Sequence, residues 1–207
     1  GNFHGVDDIA DRFMAAVDIA ERDGGVVYLY VPELDQVGHR LGAGSSEWLA
    51  TLEEIDGAAK HLQGLRRSIA ILTADHGMIN VDEKIVLGSD NDLLTDVAVI
   101  AGEPRMRHLY LATDSEAAQK EVISRWESEL ASKVTMHTRQ SAIAAGLFGP
   151  QVTLDAAERV GDVIAIAQGN LVLLDPERAD KEGSMIGHHG GDSVVESSVP
   201  LLQHVVN

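Results

Sequence analysis

Two hydrophobic patterns alternate along the first third of the chain. Apolar residues recur at helical spacing over 6–20 and over 48–62. Continuous apolar runs over 26–31 and 68–74 are typical of strands buried on both faces of a parallel sheet. The polar segment after Pro32 is interpreted as a loop. This order of helix, strand, helix, strand predicts an α/β fold with an open, mostly parallel sheet flanked by helices.

Beyond Met78 the pattern changes to shorter elements. Four short strands are predicted in KIVLGS, VAVIAG, RHLYLAT and KVTMHT, with a helix over 114–131 between the last two. Residues 159–175 predict two strands that meet in a hairpin at Gly169-Asn170. We therefore predict an inserted α+β subdomain over 103–180, and an α/β core made of 1–102 and 181–207.

Composition narrows the classes of function. The net charge is −17, spread along the whole chain, so we expect no general affinity for nucleic acid or for anionic membranes. No apolar run reaches the roughly 18–20 residues that a membrane span needs. The absence of cysteine excludes disulfides, thiolate metal sites and thiol nucleophiles.

The first residues, GNFHGVDDIADRF, have neither the basic region nor the apolar region of a signal peptide, and no initiator methionine. We expect the chain to be the later part of a longer polypeptide. The sequence leaves the compartment unknown, with a slight preference for the cytoplasm, and it does not indicate an oligomeric state.

Potential metal ligands follow both of the apolar runs. Asp35 and His39 are four residues apart after the first run, and one helical turn there would place them on the same face. Asp75 and His76 follow the second run, and Gly77 permits the bend that would let both approach one ion. Ligand sites of open α/β sheets form at the carboxyl ends of strands, which is where these side chains are predicted to lie.

Each group also has an ordinary structural explanation. A D-x-x-x-H pair is more often a surface ion pair, and an Asp-His after a strand can cap the next helix. The histidines His188 and His189, within GHHGG, can belong to a plain loop. All three groups are predicted to lie at strand-to-loop junctions. They offer oxygen and nitrogen donors and no sulfur, which favours a site for Zn²⁺, Mn²⁺ or Fe. Arg105 and Arg107 are interpreted as surface or ion-pair residues rather than phosphate ligands.

Taken in order, the segments LDQVGH, LTADHGM, RVGDVIAIAQG and GHHGG resemble the alkaline phosphatase superfamily, most closely its type I phosphodiesterase/nucleotide pyrophosphatase branch. The resemblance extends over nearly the whole chain and corresponds to the later part of a family member. It implies an alkaline-phosphatase-like fold, incomplete at the N-terminus, and two divalent metal ions, zinc or alternatively manganese. Those ions would bind a small phosphoester substrate between them.

The resemblance also implies which residues hold each ion. Asp35 and His39 would hold one metal. His189 would complete that site, since the family pattern G-x-H-G leaves the preceding histidine as the variable position. Asp75 and His76 would hold the second metal. The core made of 1–102 and 181–207 would then be the metal-binding part of the chain.

No catalytic residue is assigned in this chain. The family's Thr or Ser nucleophile and one further Asp ligand come from its N-terminal half, and residues 1–34 contain no Ser, Thr or Cys. The resemblance therefore implies a metal-dependent phosphoric ester hydrolase of which this chain alone is inactive. Two alternatives stay open: a sister-branch enzyme such as a phosphonoacetate hydrolase or a phosphate mutase, and a non-catalytic binding domain that retains the fold.

Overall fold

The computed structural model describes residues 1–113 and 115–205. Asp114, the first residue of the predicted helix, and 206–207, the end of the predicted core, lie outside the described residues. The chain divides into two compact units: Gly1–Gly77 with the residues from Ser198 onward, and Met78–Ser197. The second unit is longer than the segment 103–180, whose status as an inserted subdomain stays a prediction.

Helices dominate the first unit, and short strands dominate the second. The α-helices are α1 (Ile9–Asp23), α2 (Glu33–Leu41), α3 (Ser46–Ala59), α4 (Glu116–Leu130), α5 (Arg139–Ala144), α6 (Leu154–Ala157), α7 (Ala179–Gly183) and α8 (Val194–Ser197), with 3-10 turns at Lys60–Gly64 and Ala131–Lys133. The strands are β1 (Ala70–Thr73), β2 (Ile79–Asn80), β3 (Glu83–Val86), β4 (Val97–Glu103), β5 (Met106–Leu111), β6 (Val134–Thr138), β7 (Val163–Ala167), β8 (Leu171–Leu174), β9 (Gly187–His188) and β10 (Leu201–His204).

Side-chain caps define the first and third helices. Asp8 accepts a hydrogen bond from the backbone of Asp11 at the start of α1, and Ser45 accepts one from Trp48 at the start of α3. Both predicted helices are confirmed. The loop predicted after Pro32 was wrong, because that segment forms α2. Its few apolar residues, Leu34, Val37 and Leu41, have the three- and four-residue spacing of a helix among many polar ones.

The apolar run 26–31 forms no strand in the described structure, so this prediction was wrong. Leu29 and Val31 pack against the cluster of Ile9, Phe13 and Ala58 on α1 and α3. Tyr28 and Tyr30, which alternate with these two residues, stack their rings with centroids 6.4 Å apart, and Tyr28 is 84% exposed. Only one face of the run is covered within the described residues, although its composition suits burial on both.

The strand predicted at 68–74 exists as β1, but its predicted burial in a parallel sheet was wrong, because β1 pairs antiparallel with β10 and Ile71 is 66% exposed. The second unit is built on a four-stranded antiparallel sheet in the order β4-β5-β7-β6. Its core includes Trp126 of α4, which is fully buried and donates its indole N–H to the carbonyl of Leu93 at 2.8 Å. The predicted helix over 114–131 is therefore confirmed as α4.

The hairpin predicted at Gly169-Asn170 was wrong, although both of its strands exist. β7 lies between β5 and β6, so both of its edges already have hydrogen-bonded partners. β8 instead pairs in parallel with β3, in register Glu83↔Leu171. β2 and β9 form a separate short antiparallel ribbon. The α/β class is confirmed, whereas the open, mostly parallel sheet is confirmed only in part, because β3–β8 is the parallel pair among the described strands.

The segment RVGD has a structural role in the second unit. A Cβ on Gly161 would lie 2.9 Å from the backbone nitrogen of Leu109, so only glycine allows this close approach to β5. The buried carboxylate of Asp162 accepts hydrogen bonds from the Leu111 backbone at 2.8 Å and from the Arg139 guanidinium at 2.6 Å. Among the described residues, no helix has the length and apolar character needed to cross a membrane.

Candidate metal centre

Helix α2 places two of the predicted ligands one turn apart. His39 Nε2 lies 3.4 Å from Asp35 Oδ1. Two donors that bind one tetrahedral zinc at about 2.1 Å lie about 3.4 Å apart, so this separation suits a shared ion. The start of the helix is held by Arg12 of α1, which donates to the carbonyl of Tyr30 at 2.9 Å and to the carboxylate of Glu33.

The same separation would also suit a simple ion pair, and the environment of the carboxylate distinguishes the two. Asp35 Oδ1 is buried, and within the described residues it accepts no hydrogen bond. A buried carboxylate oxygen without a donor is costly, and such groups in native proteins commonly bind an ion or a water. The donor set therefore fits a divalent cation, because a cation would balance the burial of this oxygen.

Asp75 and His76 follow β1 in the same unit. His76 Nδ1 lies 2.9 Å from the carbonyl oxygen of Gly77, which can only accept, so Nδ1 carries the proton. Nε2, the ring nitrogen left to bind an ion, lies 3.7 Å from Asp75 Oδ1 and 4.0 Å from Asp35 Oδ1. A backbone partner that fixes the tautomer in this way is typical of metal-binding histidines.

Among its four predicted ligands, the first unit brings His39 and His76 close to Asp35, whereas Asp75 lies near its neighbour His76. Asp35 Oδ1 lies near both His39 and His76, although the family motif assigns those histidines to different metals. Asp75 remains open to solvent, with 83% of its side chain exposed. The role of these residues as ligands stays a prediction.

The remaining predicted ligand, His189, belongs to the second unit. It follows β9, in which His188 pairs with Ile79 of β2. His188 is 2% exposed, whereas His189 is only half-buried. This difference in access favours His189 as the residue that meets an ion, and the assignment itself stays a prediction.

Two buried ion pairs lie in the second unit. Arg105 pairs with Glu196, and both side chains are 1% exposed. Arg107 pairs with Glu182. The ion-pair interpretation of both arginines is confirmed, and a surface location is excluded. The role of Glu196 was missed because it lies in a polar tail where no local pattern marks burial.

The Glu196 carboxyl group is ionised in a buried setting. Burial by itself would raise its pKa. Hydrogen bonds from Arg105, Ser193 and the backbone of Gly191 outweigh that effect and hold the pKa of Glu196 below its ordinary value. The carboxylate of Glu196 therefore stays charged at neutral pH.

Several solved structures have a fold similar to that of this chain. Murine ectonucleotide pyrophosphatase/phosphodiesterase 5 in complex with AMP matches with a TM-score of 0.72 and 16% identity, over 99% of this chain and 54% of that one. Its human counterpart gives 0.68 and 16%, over 99% and 54%. Phosphonoacetate hydrolase from Sinorhizobium meliloti 1021 in complex with phosphonoacetate gives 0.68 and 21%, over 94% and 49%. The fold is that of the alkaline phosphatase superfamily, and the chain spans about half the length of these proteins.

The sequence matches the family of type I phosphodiesterases and nucleotide pyrophosphatases over residues 3–192. The chain belongs to that family, and the resemblance found in the sequence is confirmed. No curated protein sequence matches the chain.

Proposed function

We propose that the chain carries the metal-binding part of a metal-dependent phosphoric ester hydrolase of the phosphodiesterase/nucleotide pyrophosphatase type. One observation carries the proposal: the buried Asp35 Oδ1 accepts no hydrogen bond within the described residues and lies near the Nε2 atoms of His39 and His76. Asp35, His39 and His189 would hold one ion, and Asp75 and His76 the second. Family membership supports this assignment.

When bound, two divalent ions, zinc or manganese, supply Lewis-acid stabilisation of the charge on a phosphoryl group. The chain's own residues set the charge of the site. The carboxylates of Asp35 and Asp75 balance only half the charge of two divalent ions, because the histidine donors are neutral. The site would therefore attract a phosphoester anion although the chain as a whole carries a net charge of −17.

We assign no nucleophile to this chain. Residues 1–34 contain no hydroxyl or thiol side chain of Ser, Thr or Cys. We propose that the Thr or Ser nucleophile, and the last ligand of the second metal, come from a segment outside this sequence. The chain's contribution is then to bind and orient the ions, with Gly77 fixing the ring of His76.

Zinc titration of the chain tests the proposal. We expect the unaltered chain to bind Zn²⁺, and Asp35→Asn and His39→Gln each to weaken the affinity at least about tenfold, since each removes a ligand. His61→Gln is the matched control, because His61 lies exposed in the 3-10 turn after α3. A chain that binds no zinc, or an equal loss in the control, would refute the metal centre.

Substrate specificity separates this proposal from the sister-branch alternative. In a polypeptide that contains this chain together with the nucleophile, we expect a p-nitrophenyl phosphodiester to be hydrolysed faster than phosphonoacetate. The reverse preference would identify a phosphonoacetate hydrolase instead.

A further inference from the structure

The turn that carries His189 is held by hydrogen bonds both before and after it, within its own unit. Before it, β9 pairs with β2, and the backbone of Val81 donates to the carbonyl of Ile186 at 2.9 Å. After it, the backbone N–H of Gly191 donates to Glu196 Oε1 at 2.8 Å. His189 therefore lies at most two residues from a hydrogen-bonded anchor on either side.

The second anchor rests on the buried pair of Arg105 and Glu196. Arg105 donates to both carboxylate oxygens, from Nε and from Nη2, at 3.0 Å each. Ser193 donates its hydroxyl to Oε2 at 2.5 Å. Arg105 is itself held by the carbonyl of Leu171, which accepts from its Nη1 at 2.5 Å. The carboxylate thus receives four donors, one of which belongs to the His189 turn.

The close packing around this turn explains why the two residues that follow His189 are glycines. Gly190 has φ +103°, and a Cβ there would lie 2.9 Å from Cβ of Glu103. A Cβ on Gly191 would lie 2.8 Å from Glu196 Oε2. The backbone can approach the carboxylate this closely only because position 191 has no side chain.

We propose that Arg105 and Glu196 are positioning residues for His189: the buried pair holds Gly191 and thereby fixes the turn from which His189 binds its metal ion. The inference rests on the proposed function, in which His189 is one of the five ligands. A ligand on an unanchored turn must be ordered when the ion binds, and that loss of conformational entropy weakens the affinity. Supporting groups behind a ligand typically change metal affinity by about 10–100-fold.

A paired hydrophobic replacement separates positioning from stability. Arg105→Met/Glu196→Leu removes the anchor, yet replacing a buried ion pair by apolar residues of similar volume is often neutral for stability. The matched control is Arg107→Met/Glu182→Leu, because in the described structure Arg107 donates to Leu173, Gly102 and Glu182 and to no residue of the turn. The measurements are Zn²⁺ affinity by competition with a chromophoric chelator, amide hydrogen exchange at Gly191, and the free energy of unfolding in urea.

We expect Arg105→Met/Glu196→Leu to weaken Zn²⁺ binding about 10–100-fold and to speed exchange at Gly191, with the control affinity unchanged. If this variant does not fold, Gly191→Ala replaces it, since the added methyl group would displace the turn from Glu196; the same loss is expected. Unchanged affinity in a folded variant of the anchor, or an equal loss in the control, would overturn the positioning role alone. Absence of Zn²⁺ binding by the unaltered chain would instead refute the proposed function, and the positioning role with it.

Discussion

Asp162 of the RVGD segment is predicted to stabilise the second unit without taking part in metal binding. Its buried carboxylate accepts from the Leu111 backbone at 2.8 Å and from Arg139 at 2.6 Å. A hydrogen bond to a charged group contributes about 1.5–3 kcal/mol. Asp162→Ala removes both and leaves the N–H of Leu111 buried without a partner, so we expect a loss of about 3–5 kcal/mol in the free energy of unfolding.

Urea unfolding followed by tryptophan fluorescence measures this loss. The chain has two tryptophans, Trp48 in the first unit and the fully buried Trp126 in the second. A Trp48→Phe background therefore reports unfolding of the second unit alone. Asp162→Asn keeps one acceptor, so we expect about half of the loss.

Zinc affinity is the second readout of the Asp162 variants, and we expect it to stay unchanged. A stability loss below about 1 kcal/mol in Asp162→Ala would refute the structural reasoning. A loss of zinc affinity in a folded Asp162→Asn chain would show that RVGD serves the metal centre.

Two further predictions concern acid stability and turnover. Burial lowers the pKa of His108, which accepts a hydrogen bond from the Gly161 backbone at Nδ1. The unfolded chain therefore binds this proton more readily, so the contribution of His108 to stability is present above its unfolded pKa of about 6.5 and is lost as the pH falls through the lower folded value. Urea unfolding at pH 7.5 and pH 5.5 should show that the free energy of unfolding falls less on acidification in His108→Gln than in the unaltered chain. An equal fall in both would contradict this prediction. The chain alone, with zinc or manganese, should hydrolyse a p-nitrophenyl phosphodiester several orders of magnitude more slowly than a polypeptide that adds the nucleophile; equal rates would mean that the chain contains a nucleophile of its own.

Local sequence patterns were sufficient to predict the features that depend only on residues close together in the chain. Ser45 marks the start of α3 because its hydroxyl reaches an N–H three residues away, and this needs no distant partner. Asp35 and His39 meet because four residues make about one turn of helix. The order of the ligand motifs was likewise enough to indicate the family, since each motif is a short run of residues.

The tertiary structure decided what depends on partners far away in the chain. β8 pairs with β3 rather than with its neighbour β7, because β5 and β6 already occupy both edges of β7. Arg105 and Glu196 are 91 residues apart, so no periodicity reveals that they share a buried salt bridge beside the His189 turn. The burial of Asp35 Oδ1 is also a product of packing, because sequence spacing brings a histidine near the carboxylate but cannot remove water from it.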